Sequence, residues 1–520
     1  MTSVGEAAIG LLAQRGVTTV FGIPGVHTLE YYRGLAGSGI RHVTPRHEQG
    51  GGFMADGFGR VTGTPGVCLV ITGPGVTNVL TPVAQAHHDS KPLLVLSSSV
   101  AADSHGRGTI HDLPDQRGLT SAVTAFSHAV RSPDELAEAM DRAWDVFESG
   151  RPRPVHIQIP VDMLRSPAPD LPAPRAPAPR PVAGDAELRR AAEVLLAASR
   201  PVVLIGGGGV DAGAQALAVA ELLGAPVGLT INARGAVPTS HPLCLGSAIS
   251  FPPISDLLLG ADAMLAVGTE FSELDWWGLA EPPVLPAALV RIDIDPEQLA
   301  SRPCTPLLGD AAATLEALAG LLGERRQAGG DARDRVGRAL ADLRWPDEVA
   351  DHLELVAALD RALPEDRIVA ADSTQPAYAA NHAMAAHRPR SWLMPIGYGS
   401  LGCALPMAIG AKLAAPERPV LALAGDGGVL FTIAELAAAR DEGLAIPLVV
   451  WNNHGYGEIR DSMARVGIDP IGTDASAHDL VAIARGFGCH GVRADDPAEV
   501  AAQVVEALTA DRPTLIEVRP

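Results

Sequence analysis

The stretch VLALAGDGGVLFTIAELAAARDEGLAIPLVVWNNHGYG, residues 420–457, decides the fold. It opens on an unbroken apolar run, Val420–Ala424, the pattern of a strand covered on both faces. The run stops at Gly425-Asp426-Gly427-Gly428. A helical pattern over Ile433–Arg440 follows, and a second apolar run, Leu448–Trp451, ends at Asn452-Asn453. Strand, helix and strand in that order predict parallel strands in an α/β sheet. Ligand sites in such sheets lie at the carboxyl ends of the strands, where both polar turns fall. The glycines beside Asp426 let the backbone approach a phosphate group. Asp426 and the Asn453 amide oxygen are hard oxygen ligands suited to Mg²⁺. Mg²⁺ with few protein ligands completes its octahedron from phosphate oxygens. A diphosphate is therefore implied, and the spacing of about 24 residues from Gly428 to Asn452 is the length of one helix-and-strand unit.

The same alternation runs outward along the chain. Val67–Thr72 and Pro92–Ser97 read as buried strands, and Val155, Ile157 and Ile159 alternate with polar residues as a closing strand. Ser132-Pro133-Asp134-Glu135 is a capping box ahead of a helix that carries Leu136, Met140, Ala143 and Phe147. Pro201–Ile205 runs into Gly206–Gly209, Leu289–Ile294 is another strand, and Ile368–Ala371 precedes Thr374 and Gln375. A Pro/Ala-rich stretch, Ser166–Asp185, favours an extended linker. A second, polar break covers Gly323–Asp331. The expected organisation is three α/β domains with parallel sheets: 1–165, then a linker at 166–185, then 186–330 and 331–520.

Composition excludes several classes. The 520 residues suggest three or four domains, and 47% hydrophobic residues with 19% charged exclude global disorder. Gly (55) and Pro (43) punctuate short elements rather than a coiled coil. A net charge of −20 argues against nucleic acid and anionic membrane surfaces as partners. Five scattered cysteines form no CxxC, so a reducing compartment is expected, with no disulfide framework or zinc site. The first 20 residues lack the pattern of a signal peptide, and no apolar run reaches the ~20 residues that span a bilayer. A cytoplasmic location is the expectation.

Strand–GDGG–helix–strand–NN resembles the signature of the thiamine diphosphate enzymes. The resemblance implies that Asp426, Asn453 and the Gly455 carbonyl hold Mg²⁺, with Gly425, Gly427, Gly428 and Tyr456 beside the cofactor. It also calls for a pyrimidine-binding domain with one glutamate, and Pro45-Arg46-His47-Glu48-Gln49-Gly50 supplies it. Glu48 is the residue implied to hydrogen-bond N1′ of the aminopyrimidine. Proton exchange there favours the 4′-imino tautomer, which removes the thiazolium C2 proton. Phe21–Gly25 and Thr72–Asn78 are similar to the family's other two loops in that domain, placing Pro24, Gly25, Thr72 and Asn78 at the cofactor. Gly397–Gly402 resembles the loop that bends the cofactor. Leu401 is then the wedge between its rings, and the Gly399 carbonyl accepts from its 4′-amino group. Thr374 and Gln375 fall where the family binds diphosphate.

The middle segment, with Gly206–Gly209, Gly268-Thr269-Glu270 and Ile292–Pro296, resembles the central domain of the acetolactate synthase and pyruvate oxidase branch. Some members bind FAD there, so FAD is possible without being indicated. In this family each site is shared between subunits, which implies a homodimer at least and a homotetramer as the expected assembly.

The family's common step is decarboxylation of a 2-oxo acid. Release as an aldehyde or ligation to a second carbonyl depends on the side chains around it. His111-Asp112 lies where the synthases carry Gln-Glu, so His111 is a candidate to donate a proton or bind the substrate carboxylate. His27 lies close to where decarboxylases place an acidic or hydroxyl residue. His87-His88 falls in a helix-like stretch and reads as packing or surface. Glu458 is a candidate for proton relay or for a cationic substrate tail, and Asp461 is a second carboxylate for such a tail. Phe21–Gly34, Arg41–Asp56 and His111–His128 look most like the 5-guanidino-2-oxopentanoate (2-ketoarginine) decarboxylase group. The leading expectation is a non-oxidative 2-oxo acid decarboxylase. A carboligase like acetolactate synthase and a non-catalytic nucleotide- or flavin-binding relative are the alternatives.

Overall fold

The computed structural model describes residues 2–168, 170–277, 279, 281–323, 331–474 and 478–520. Three parallel sheets form. The first orders its strands Arg41–Val43, Thr19–Gly22, Gly66–Val70, Leu93–Ser99, Val155–Pro160, Phe126–Ala129. The second runs Thr305–Leu308, Ala288–Asp293, Ala263–Val267, Pro201–Ile205, Val227–Leu229, Cys244–Gly246. The five longer strands of the third run Ile368–Ala371, Val420–Gly425, Pro447–Trp451, Thr514–Val518, His490–Arg493. Leu423 pairs with Val449, and Val449 with Ile516, in parallel register. The Gly425 and Asn452 turns thus leave adjacent strands at the same end.

Residues 1–178, 369–374 and 398–520 form one compact unit, and 179–368 with 375–397 form another. In the first unit the helix Glu48–Thr62 packs on the helix Ala404–Ala414. Their backbones approach closely: a Cβ on Gly57 would lie 2.3 Å from the Met407 carbonyl oxygen, and one on Gly410 1.9 Å from that of Met54. The second unit has its own core, built from Val203, Ile205, Ala216, Val219, Leu265 and their neighbours.

Local signals explain most elements. Ser132 caps the helix Pro133–Glu148 by accepting the Glu135 N–H, and Leu136, Met140, Ala143 and Phe147 are buried on it. Glu135 reaches back to the N–H of Arg131, one residue beyond the Ser132 N–H of a reciprocal box. The helix expected over Ile433–Arg440 starts at Glu435 and runs to Asp441, with Ile433 and Ala434 in the preceding turn. Strand Val155–Pro160 is not half-exposed as its alternation suggests, because both of its faces are covered. His156 and Gln158 are buried as well, and both find polar partners: Ser97, Thr120 and Ser127 for His156, Gln116 for Gln158. Burial pushes His156 down to about 3, so the ring is neutral there. No helix or strand lies between Arg165 and Asp185 among the described residues. Most of the break expected at Gly323–Asp331 lies outside the described residues. Among the described residues no helix is long and apolar enough to cross a membrane.

Candidate active site

Three adjacent strands of the third sheet deliver three segments to one place. Strand Val420–Gly425 ends in Asp426, which opens the short helix Asp426–Val429 and is buried. Burial pushes its carboxyl above the usual carboxylate range, against the pull of N–H groups from Gly427 and Gly455. The glycines beside it are required sterically. A Cβ on Gly427 would come within 2.8 Å of the Tyr456 ring, and one on Gly428 within 2.7 Å of the Asp372 carboxylate. Gly425 stands against Thr374, whose Oγ1 would lie 3.0 Å from an added Cβ. Gln375 begins the helix Gln375–Ala383.

The two asparagines divide their work. Asn452 is buried and structural: its Nδ2 donates to Glu517 Oε1 at 2.6 Å, and its Oδ1 accepts the His454 N–H at 3.1 Å. That contact shapes a turn in which His454 (φ 63) and Gly455 (φ 144) take left-handed conformations. The turn brings the Gly455 N–H to Asp426. The Asn453 amide lies over Gly457, where an added Cβ would sit 2.2 Å from Nδ2. Asp426 thus meets the backbone of Gly455, and Asn453 stands two residues before it in the same turn. Among the described residues no cluster of three His, Cys, Asp or Glu side chains could hold a metal. A single buried carboxylate with neutral oxygens suits Mg²⁺, which binds mainly through phosphates and water. The residues present fit that ion together with a diphosphate.

Asp372 escaped the sequence reading. It follows strand Ile368–Ala371 and is 1% exposed, and burial raises it to about 6. It accepts the Gly402 N–H at 2.6 Å and the Ser373 N–H at 2.9 Å. Thr432 Oγ1 donates to the Gly402 carbonyl at 2.6 Å. Gly402, next to Leu401 in the loop that holds Gly399, is thus held at its N–H by Asp372 and at its carbonyl by Thr432. Gly399 (φ 66) is exposed and Leu401 half-buried. Asp372's position directly after a buried strand was the available signal.

In the first sheet, half-buried Glu48 opens the helix Glu48–Thr62, and its Oε2 accepts from Asn78 Nδ2 at 2.9 Å. Gly75 leaves room for it: an added Cβ would stand 3.4 Å from Glu48 Oε1. His47 caps its own helix by accepting the Gln49 N–H. Glu435, also missed, is 1% exposed and accepts N–H groups of Arg46 and His47 at 3.0–3.1 Å. Burial pushes Glu435 up to about 7. It docks the start of the Glu48 helix against the C-terminal half of the same unit.

The loops carrying His111 and Gln116 meet at Thr72 and Gly73. Buried Gln116 accepts from Thr72 Oγ1 at 3.1 Å and from the Gly73 N–H at 3.0 Å. A polar cavity of about 350 Å³, lined by Thr72, Ser99, Gln116 and Gln158 among others, opens beside them. His111 (φ 66) presses its carbonyl on Gly73. The His111 ring lies 5.3 Å, centroid to centroid, from His27. Burial, then His111, lowers the His27 pKa. Thr28 Oγ1 clasps Gly25, accepting its N–H at 3.1 Å and donating to its carbonyl at 3.0 Å, beside exposed Pro24. Glu458 stands on the helix Gly457–Arg465 in a partly exposed ion pair with Arg465 at 3.0 Å.

Two oxygen-rich strand-end clusters in parallel sheets, one around Glu48 and one around the Gly425–Gly428 turn, point to the class. Residues 2–119 match the thiamine pyrophosphate enzyme N-terminal TPP binding domain, 188–318 the central domain, and 372–518 the C-terminal TPP binding domain. The chain belongs to the thiamine pyrophosphate enzyme family. It is 47% identical over 533 residues to the "Probable 2-ketoarginine decarboxylase AruI" of Pseudomonas aeruginosa, covering 99% of this chain and 94% of that one. It is 32% identical to acetolactate synthase isozyme 1 large subunit of Escherichia coli, over 99% and 93% of the two chains. A probable acetolactate synthase large subunit of Methanocaldococcus jannaschii is 30% identical, over 99% and 91%.

Proposed function

We propose that this chain decarboxylates a 2-oxo acid with a cationic tail, 5-guanidino-2-oxopentanoate, to an aldehyde and CO₂, using thiamine diphosphate and Mg²⁺. The observation that carries the substrate is the 47% identity along almost the whole chain to the 2-ketoarginine decarboxylase, against 30–32% to the synthases. When bound, thiamine diphosphate supplies the nucleophilic carbon and the sink for the electron pair that CO₂ leaves behind.

The chain's own residues do the rest. Asp426, Asn453 and the Gly455 carbonyl hold Mg²⁺, and Gly425, Gly427, Gly428, Thr374, Gln375 and Tyr456 surround the diphosphate. Glu48, steadied by Asn78, exchanges a proton with N1′ of the pyrimidine. With the cofactor bound, Pro24, Gly25 and Thr72 would line the pyrimidine, Leu401 would be the apolar wedge beside it, and the Gly399 carbonyl would accept from the 4′-amino group. His111 donates the proton that completes the aldehyde. Glu458 offers its carboxylate to the substrate's guanidinium.

The assembly we propose is a homodimer at least and a homotetramer by preference. The domains are 1–165, 186–330 and 331–520, joined by the 166–185 linker, and the location is cytoplasmic. A second reading, ligation of two 2-oxo acids, draws on the acetolactate synthases among the relatives. A panel of 2-oxo acids tests the choice. The guanidino acid should release aldehyde and CO₂ in equal amounts, whereas acetolactate from pyruvate would favour ligation.

A further inference from the structure

One turn of the helix Pro74–His88 grips the loop that carries Gly399, and none of the roles assigned above uses it. Gln85 on that helix is fully buried, and its Oε1 accepts the Ser400 N–H at 3.2 Å. Three residues on, the His88 ring stacks on Tyr398 with centroids 4.9 Å apart and planes 18° from parallel. Positions three apart share a helix face, so both neighbours of Gly399 are held by one surface.

The Gln85 amide has only one workable orientation. Its Nε2 donates to Asp89 Oδ2 at 2.7 Å. Asp89 is in turn pinned by Arg60 at 2.7 Å, and Arg60 by Asp56 at 2.8 Å, all three buried. A flipped amide would set oxygen against the Asp89 carboxylate and N–H against the Ser400 N–H. The Ser400 N–H belongs to the same peptide plane as the Gly399 carbonyl. That peptide is trans, so the two point in opposite directions. Fixing the N–H on Gln85 therefore aims the Gly399 carbonyl away from the helix. Gly399 is exposed, and an added Cβ would meet nothing within 4 Å.

We propose that Gln85 is a positioning residue for cofactor recognition: it orients the Gly399 carbonyl toward the 4′-amino group of thiamine diphosphate. This rests on the assignment of Gly399 made under the proposed function.

The test is a comparison of affinities for thiamine diphosphate and for an analogue with hydrogen in place of the 4′-amino group, both with Mg²⁺. Wild type should prefer the natural cofactor by about tenfold, the worth of one such hydrogen bond. Gln85→Met should bring that ratio close to one while leaving affinity for the analogue unchanged. Gln85→Glu, which keeps an oxygen at the Ser400 N–H by sharing a proton with Asp89, should retain the preference. Should Gln85→Met not fold, Gln85→Asn, too short to span Asp89 and Ser400, is read in the same way. A wild-type ratio persisting in the Met or Asn variant would overturn the role of Gln85 alone. An equal loss of affinity for both ligands would mean general loosening and would overturn it too. A wild-type protein indifferent to the amino group would overturn the Gly399 assignment itself.

Discussion

Two glycine-rich turns follow buried parallel strands in this molecule, and they do opposite things. In the central sheet, an added Cβ on Gly206 would lie 2.3 Å from the Gly268 carbonyl oxygen, and one on Gly268 2.5 Å from the Gly208 carbonyl carbon. Backbone presses on backbone, and that packing accounts for those glycines by itself. In the third sheet, the neighbours of Gly425, Gly427 and Gly428 are the Thr374 hydroxyl, the Tyr456 ring and the Asp372 carboxylate. There the missing side chains make room among polar groups at the ends of three strands. Glycine after a strand signals close approach; only the acid and oxygen ligands around it say whether the approach is to a ligand.

The comparison can be broken first at Glu48. If the group in the third-sheet turn is oriented from the first sheet, Glu48→Gln should lower turnover by roughly 10²–10⁴ while the protein still binds the cofactor. Steady-state kinetics beside a binding titration reads this, and unchanged turnover would remove Glu48 from the site.

Alanine at each turn sharpens the contrast. Gly206→Ala should lower stability by about 1–3 kcal/mol through overpacking and leave cofactor affinity alone. Gly428→Ala, crowding Asp372 instead, should weaken cofactor binding by roughly tenfold or more, a loss that Gly206→Ala does not show. Equal profiles for the two variants would erase the distinction.

A smaller effect concerns Glu435, which ties the two halves together. Its folded pKa of about 7 lies above the ordinary 4.5. The stability it contributes is therefore full below pH 4.5 and is lost as pH rises through 7. Thermal melts of wild type and Glu435→Gln should show wild type losing on the order of 2 kcal/mol relative to the variant between pH 5 and 8. A difference independent of pH would contradict the raised value.

Much of this was legible in the sequence because the signals are local. Val420–Ala424 and Leu448–Trp451 fall within observed strands, and Ser132 caps the helix it heads. The three-sheet α/β architecture followed from that alternation, and the family from four short motifs. What stayed hidden depends on contacts far apart in the chain. Asp372 meets Gly402 thirty residues on, Glu435 meets Arg46 across 389, and Gln85 meets Ser400 across 315. None carries a spacing that marks it. The buried His156 and Gln158 were hidden for a related reason: an alternating strand looks half-exposed until both faces are covered. The sequence singled out Asn453 but was silent on Asn452, whose structural bond to Glu517 spans 65 residues.

We propose that the Asp426 turn, and not the central-domain glycines, is the cofactor site. Titration calorimetry of thiamine diphosphate with and without Mg²⁺ tests it most directly. One cofactor should bind per chain only with the metal present. Asp426→Asn should weaken it by at least about 100-fold, as expected for loss of a charged, buried ligand. Cofactor binding that is indifferent to Mg²⁺ and unchanged by Asp426→Asn would contradict the account.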